Sequence, residues 1–354
     1  MRQFAKYDLS LYYTGGFIMK AVVLYGPSDV RLTEFPTPEL KPGTVKVAVS
    51  YCGICGSDFH KVAGKKNTHA IHYPVPLGHE ISGVVEAVGE GVIGFKPGDR
   101  VTVDPNWSCG KCYYCQQGMP SFCENARGVV KGMCEYVVSP EESVYHLPDS
   151  LDLHTAALAE PVACCVHGMD LLAVQPGDSV ALVGMGAIGT IMLQLIKNAG
   201  AGQIIVLETN EAKRELAMQL GATCFVSPAD QGTVNTLAEK YHIKRVIECV
   251  GIRPAQKTAL AVADKGATVV MFGVSDAADE LPINLYDAFL KELTIKTSFV
   301  NPFTTQRAIN ILNNGALDAD KIICKDLTME EAIDEFANPV YSRMGKVIVT
   351  VKPE

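Results

Sequence analysis

No run of apolar residues approaches the roughly 20 needed to cross a bilayer as a helix, so no membrane span is expected. Basic residues are too few for a nucleic-acid or anionic-membrane partner. Lys and Arg total 31 against 39 Asp and Glu, a net charge of −8, and both kinds of partner reward a basic face. A single Trp argues against a carbohydrate-stacking surface, and 31 Gly argue against a coiled coil. Neither an internal repeat nor a low-complexity segment is present. The opening stretch MRQFAKYDLSLYYTGGFIMK carries Arg2, Lys6 and Asp8 and no continuous apolar stretch, so it does not read as a secretion signal. Asp8 and the single Arg also count against a transit peptide. Residues 1–18 are taken as an extension ahead of the first strand, and the protein is expected in the cytoplasm.

What is present is the composition of a globular enzyme. The chain has 354 residues, of which 48% are hydrophobic and 20% charged, a length that suggests about two domains. Twelve cysteines without a secretion signal point to metal or thiolate chemistry rather than disulfides. From residue 19 to 163 the pattern is short β-type runs (Val45–Val49, Ile81–Val88, Arg100–Val103) broken by Lys41-Pro42-Gly43 and Lys96-Pro97-Gly98-Asp99, which predicts a compact, mostly β domain. From 164 to 299 apolar runs alternate with helical patterns: Val180–Val183, Ile204–Leu207, Thr223–Val226, Val246–Val250, Ala267–Phe272 and Ile295–Phe299. Such strands predict a parallel sheet covered on both faces. Residues 300–354 hold two short helical stretches and the run Lys346–Val351, and are expected to complete the first domain. The fold class is therefore α/β.

Val180–Val183 runs directly into Gly184-Met185-Gly186-Ala187-Ile188-Gly189, after which Ile191, Met192, Leu195 and Ile196 recur at helical spacing. In a strand–turn–helix context the three glycines supply a tight turn, room for a pyrophosphate and close helix packing. The helix N-terminus offers free N–H groups to the phosphates. Glu208 ends the next strand near the expected distance, where it would bind the adenosine ribose hydroxyls and repel a 2′-phosphate, favouring NAD over NADP. Lys213 and Arg214 follow as candidates beside the ribose, and Arg214 would soften that preference. Phe272, Gly273 and Val274, at the end of a later run, complete the candidate cofactor-binding set.

Cys109, Cys112, Cys115 and Cys123 form the strongest motif in the chain. Four thiolates at this spacing close a tetrahedron around Zn²⁺ with no open position, the signature of a structural site; an iron–sulfur cluster is the competing occupant. A second set is spread out: Cys52-Gly-Ile-Cys55-Gly-Ser57-Asp58-Phe-His60, then Leu77-Gly78-His79-Glu80, then Leu158-Ala-Glu160-Pro161. Taken alone, none of these spacings is a local zinc motif.

Together, GICGSDFH, LGHE, the four-cysteine segment and VGMGAIG, in that order over roughly residues 20–354, resemble the zinc-dependent medium-chain alcohol dehydrogenase family, in its polyol (sorbitol-dehydrogenase-like) branch. The resemblance implies a GroES-like catalytic domain plus a Rossmann domain and two zinc ions per chain, one catalytic and one structural. It implies Cys55 and His79 as catalytic-zinc ligands, with Glu80 or Glu160 as a further ligand; which of the two ligates at rest stays open. Ser57 and His60 match a proton relay, and Cys52 is left a structural role. The expected partner is a small polyol or secondary alcohol: sorbitol, arabinitol or a sugar-alcohol phosphate, with L-threonine and 2,3-butanediol as alternatives. Ser298-Phe299-Val300-Asn301-Pro302 departs from the Arg–Tyr pair of sorbitol dehydrogenases, which weighs against sorbitol itself. A zinc-free quinone reductase is disfavoured by the cysteine segment and the Cys55–His79 pair. A catalytically silent dinucleotide-binding protein is disfavoured by the intact relay and ligand positions. A homo-oligomer, dimer or tetramer, is expected through an exposed Rossmann sheet edge.

Overall fold

The computed structural model describes residues 17–65 and 71–352; most of the expected extension, residues 1–16, lies outside the described residues. Two compact units result. Of the described residues, the first comprises 17–65, 71–160, 325–342 and 346–352, the second 161–324 and 343–345. Residues 300–324, expected with the first domain, therefore group with the second.

The first unit is built on strand Thr44–Gly53, whose Val45, Val47 and Val49 alternate inward in the period-2 pattern of a half-buried strand. It pairs antiparallel with Glu80–Val88, Tyr136–Pro140 and Lys346–Thr350. The same sheet continues through Arg100–Val103 to Val144–His146 on one side and to Ile323–Thr328 on the other. Ile18–Gly26 forms a smaller sheet between Asp29–Pro36 and Val75–Pro76. Valines of both sheets share one core with Leu77, Ile81 and Phe336. The last long strand thus returns across the sequence to the first sheet.

The second unit carries a six-stranded parallel sheet in the spatial order Cys224–Val226, Gln203–Leu207, Ser179–Val183, Arg245–Glu248, Thr268–Met271, Thr294–Thr297. Numbered along the chain this is 3-2-1-4-5-6, the doubly wound order whose direction reverses beside the first strand. The central strands are buried almost without a break. The sixth run departs from expectation: Thr294–Thr297 is the outermost strand and largely exposed, paired among the described residues with Thr268–Met271 alone. The run expected to reach Val250 ends instead at Glu248, whose side chain accepts from the N–H groups of Val250 and Gly251 and turns the chain. After residue 300 there are three helices, Thr305–Asn313, Ala319–Ile322 and Met329–Ala337, and the strand Ile323–Thr328. Lys325 and Asp326 interrupt the apolar pattern there and hide that strand from a hydrophobicity reading. No helix among the described residues is long and apolar enough to cross a membrane.

Candidate active site and metal centres

Cys109, Cys112, Cys115 and Cys123 come together with their sulfurs all within 4.8 Å of one another. A two-residue ribbon, Asn106–Trp107 against Arg127–Gly128, ties the ends of the segment, with the Arg127 guanidinium 4.3 Å above the Trp107 ring. Backbone N–H groups point at the thiols: Cys109 N and Asn125 N each lie 3.3 Å from Cys123 Sγ. The Lys111 N–H and then the Asn125 amide hold the Cys109 thiol down at about 6, whereas burial pushes Cys115 up to about 11. Zn–S bonds of about 2.3 Å in a tetrahedron place sulfurs about 3.8 Å apart, so four converging thiols with N–H donors aimed at them suit a closed zinc site.

The second cluster is assembled by sheet pairing. Gly53 ends one strand opposite Glu80, which begins the next. Cys55 follows two residues after Gly53, as the residue preceding helix Gly56–Val62. Gly78, with φ +82°, makes the turn that presents His79; a Cβ there would lie 2.5 Å from Cys52 Sγ, so only glycine is accommodated. Ligand atoms of Cys55, His79 and Glu80 all lie within 4.8 Å of one another. Glu160, on helix Ala159–Leu172, is outside that group. It is nonetheless buried, and burial together with the Glu80 charge pushes its carboxyl up to about 7 against the pull of His79. Cys52 is fully buried and outside the group too.

Two residues that the sequence reading left without a role hold this cluster. Asp58, fully buried, accepts from Cys55 N (3.2 Å), Gly78 N (3.3 Å) and Lys61 Nζ (3.1 Å), and stands 3.7 Å from His79 Nδ1. It thus clamps the backbone on either side of the cluster. Burial alone would lower the His79 pKa, yet Asp58 and Cys55 raise it well above the ordinary value. Surroundings that favour positive charge at the ring equally favour a bound cation. Lys346, first residue of its strand, lies buried with Nζ 2.7 and 2.8 Å from the two Glu80 oxygens and 3.1 Å from Ile54 O. A lysine heading an apolar run was the available signal for this pair. Ser57 and His60 lie on helix Gly56–Val62, both half-buried, three residues apart and so neighbours on its surface.

In the second unit the three glycines of the turn do different things. Gly184 has φ +90°, and a Cβ on it would lie 2.3 Å from Val250 Cγ2. A Cβ on Gly189 would lie 2.1 Å from Gly184 O, so helix and turn touch backbone to backbone. Gly186, which precedes helix Ala187–Asn198, faces open space, with nothing within 4 Å of an added Cβ. That is the cradle a pyrophosphate requires; Ile188 is half-buried in the first turn behind it. Glu208 Oε2 accepts from Met185 N (2.7 Å), and Lys213 Nζ donates to Met185 O (2.8 Å), so the two hold the peptide groups on either side of one residue of the turn. Although burial raises it, the Glu208 pKa is lowered on balance by the N–H groups of Asn210 and Met185. Arg214 is engaged elsewhere: it pairs with Glu211, donates to Phe225 O (3.1 Å) and lies over the Phe225 ring. Phe272 and Gly273 both donate to Glu248 O at 2.9 Å, and Val274 beyond them is exposed.

The family model for the alcohol dehydrogenase GroES-like domain matches residues 41–149, and that for zinc-binding dehydrogenase matches residues 187–314. A sorbitol dehydrogenase of Halalkalibacterium halodurans is 32% identical, covering 88% of this chain and 94% of its own. A D-arabitol-phosphate dehydrogenase of Enterococcus avium is 32% identical, covering 95% and 98%. Among solved structures, a zinc-binding dehydrogenase of Sinorhizobium meliloti bound to NADP superposes with a TM-score of 0.88 at 36% identity, covering 94% of this chain and 99% of that one.

Proposed function

Because the chain belongs to the zinc-binding alcohol dehydrogenase family, we propose that it oxidises a secondary alcohol of a polyol or sugar-alcohol phosphate to the ketone, using zinc and NAD. The observation that carries this reading is the donor set Cys55–His79–Glu80, with Glu160 as a second carboxylate outside it. A site with one thiolate and carboxylate donors suits a hard, bidentate oxygen ligand such as a vicinal diol. When bound, zinc supplies a Lewis acid that makes the alcohol more acidic, and the dinucleotide supplies the hydride acceptor.

The chain's own residues do the rest. Cys55 and His79 hold the metal, with Glu80 or Glu160 as the oxygen ligand, and Asp58 fixes the backbone on either side of the first two. Ser57 Oγ accepts the alcohol proton and His60 releases it to solvent. Cys109, Cys112, Cys115 and Cys123 hold a second zinc that keeps their lobe folded. The turn receives the pyrophosphate at Gly186, with Gly184 and Gly189 closing it backbone to backbone and Ile188 in the helix turn behind, and Glu208 with Lys213 receives the adenosine ribose, which favours NAD. Phe272, Gly273 and Val274 line the same edge of the sheet. Arg214, committed to Glu211 and Phe225, is assigned no cofactor contact.

The unit that binds the dinucleotide also pairs with a second copy of the chain. Its outermost strand, Thr294–Thr297, has one unpaired edge among the described residues, and the neighbouring helix exposes Leu285, Tyr286, Phe289 and Leu290. An open edge beside an apolar surface calls for a partner strand. Light scattering at a dimer or tetramer mass supports this; a monomer contradicts it.

The substrate is tested by initial rates of NADH formation with sorbitol, xylitol, D-arabinitol, galactitol and their phosphates, repeated with NADP. The reading expects a polyol or its phosphate to lead, with NAD preferred. L-Threonine and 2,3-butanediol belong in the same panel, and a lead by either overturns the polyol assignment while leaving the chemistry intact.

A further inference from the structure

Glu248 takes no part in the reading above. It is a carboxylate with no exposed surface, at the last position of a central strand, level with Val183 on one side and Met271 on the other. Its Oε1 accepts from two backbone groups, Val250 N (2.7 Å) and Gly251 N (2.8 Å). Its main-chain O accepts from two more, Phe272 N and Gly273 N, both at 2.9 Å. Its Oε2 has no hydrogen-bond partner among the described residues. One residue therefore fastens the turns that leave two neighbouring strands.

Those turns and the glycine-rich turn meet with no side chain to spare. A Cβ on Gly251 would lie 2.5 Å from Val274 O, and one on Gly273 would lie 2.1 Å from Gly251 N. Val250, whose N–H the carboxyl holds, places its Cγ2 2.3 Å from where a Cβ of Gly184 would be. All three turns lie at the carboxyl ends of adjacent parallel strands, where doubly wound sheets bind their ligands. Packing alone does not account for an acid at this place. Burying a carboxyl costs free energy even with one oxygen satisfied, a cost that its Oε1 bonds to two backbone N–H groups offset only in part. Burial also raises the acid's pKa, opposed by the N–H groups of Gly251, Val250 and Gly273.

We propose that Glu248 is a positioning residue of the dinucleotide site. Through Oε1 it sets the Val250–Gly251 turn, and through that turn the spacing of Gly184 from Gly273 and Val274. The inference rests on the reading of the second unit as dinucleotide-binding.

The test is the dissociation constant for NADH, followed by fluorescence titration of the zinc-loaded full chain well below each variant's unfolding temperature. Glu248→Gln keeps an acceptor at Oε1 and is expected to bind within threefold of the parent. Glu248→Leu removes the acceptor, and Glu248→Asp withdraws it beyond reach of Gly251 N; each is expected to weaken NADH at least tenfold, with zinc content unchanged. Should the leucine variant not fold, the aspartate variant decides. A role confined to stability would lower the unfolding temperature and leave NADH affinity alone, and that result overturns the proposal. Equal losses in the Gln and Leu variants overturn it as well, because the acceptor would then be irrelevant. A parent chain that binds no dinucleotide removes the reading beneath it, an outcome distinct from a parent that binds and a Leu variant that binds equally well.

Discussion

Replacing Gly186 by alanine separates binding from folding at a single methyl group. Gly186 has φ −74° and ψ −164°, a conformation open to any residue. An added Cβ meets no protein atom within 4 Å. The cost to the fold is therefore the small preference for glycine over alanine ahead of a helix, less than about 1 kcal/mol. The dinucleotide would meet the methyl group where it needs bare backbone. Overpacking of one methyl costs about 1–3 kcal/mol, which corresponds to a loss of about 5- to 150-fold in affinity. Gly189→Ala is the counter-experiment, since its Cβ would sit 2.1 Å from Gly184 O and must push backbone aside. It is expected to lose fold stability outright. Isothermal calorimetry with NADH and urea unfolding on the same samples give both quantities. A Gly186→Ala chain that binds NADH as the parent does would refute the assignment of that space to the pyrophosphate.

Three further perturbations act at other places in the fold. Cys115→Ser should lose one zinc per chain by elemental analysis and lower the unfolding temperature, because a closed four-thiolate site contributes folding free energy; unchanged metal content would contradict the site. Lys346→Met, in the presence of a chelator, leaves the buried Glu80 without its cation and should cost about 3–5 kcal/mol in urea unfolding. Most of that should return in the Lys346→Met/Glu80→Gln double variant, and equal losses in both would argue against the pair. Glu335 accepts from Val340 N, Tyr341 N and Ser342 N, and these bonds hold its pKa below the ordinary value although burial opposes them. A depressed carboxylate stabilises the fold above its unfolded-state pKa of about 4.3, and the contribution disappears as pH falls through the lower folded value. Glu335→Gln should therefore be less stable than the parent at pH 7 and converge with it below about pH 4; a constant gap across that range would contradict this.

How much of this was legible in the sequence depends on whether the signal is local. The glycine-rich turn and the four-cysteine segment are short, so their spacing alone carries their geometry. The Cys55–His79–Glu80 cluster is assembled by strand pairing across about 25 residues, and only the family resemblance joined its members beforehand. Asp58 and Lys346 act through long-range contacts with Gly78 and Glu80, which no periodicity reveals. The strand Ile323–Thr328 escapes a hydrophobicity reading because its polar middle breaks the apolar pattern. The run Ile295–Phe299 reads as a covered strand because both its ends are apolar, whereas the strand that forms, Thr294–Thr297, is the outermost and largely exposed. Arg214 illustrates a further limit: its position suited the ribose, but Glu211 three residues back and the Phe225 ring hold it.

The proposed division of labour gives alcohol oxidation to an open zinc site with carboxylate donors and support of the fold to a closed four-thiolate site. Graded dialysis of the zinc-loaded chain against a chelator, with zinc per chain and polyol-dependent NADH formation followed together, tests it most directly. Activity is expected to fall in step with the first zinc lost, the second zinc to be retained longer, and added zinc to restore the rate. Full polyol-dependent NADH formation by a chain stripped of both metals would contradict it.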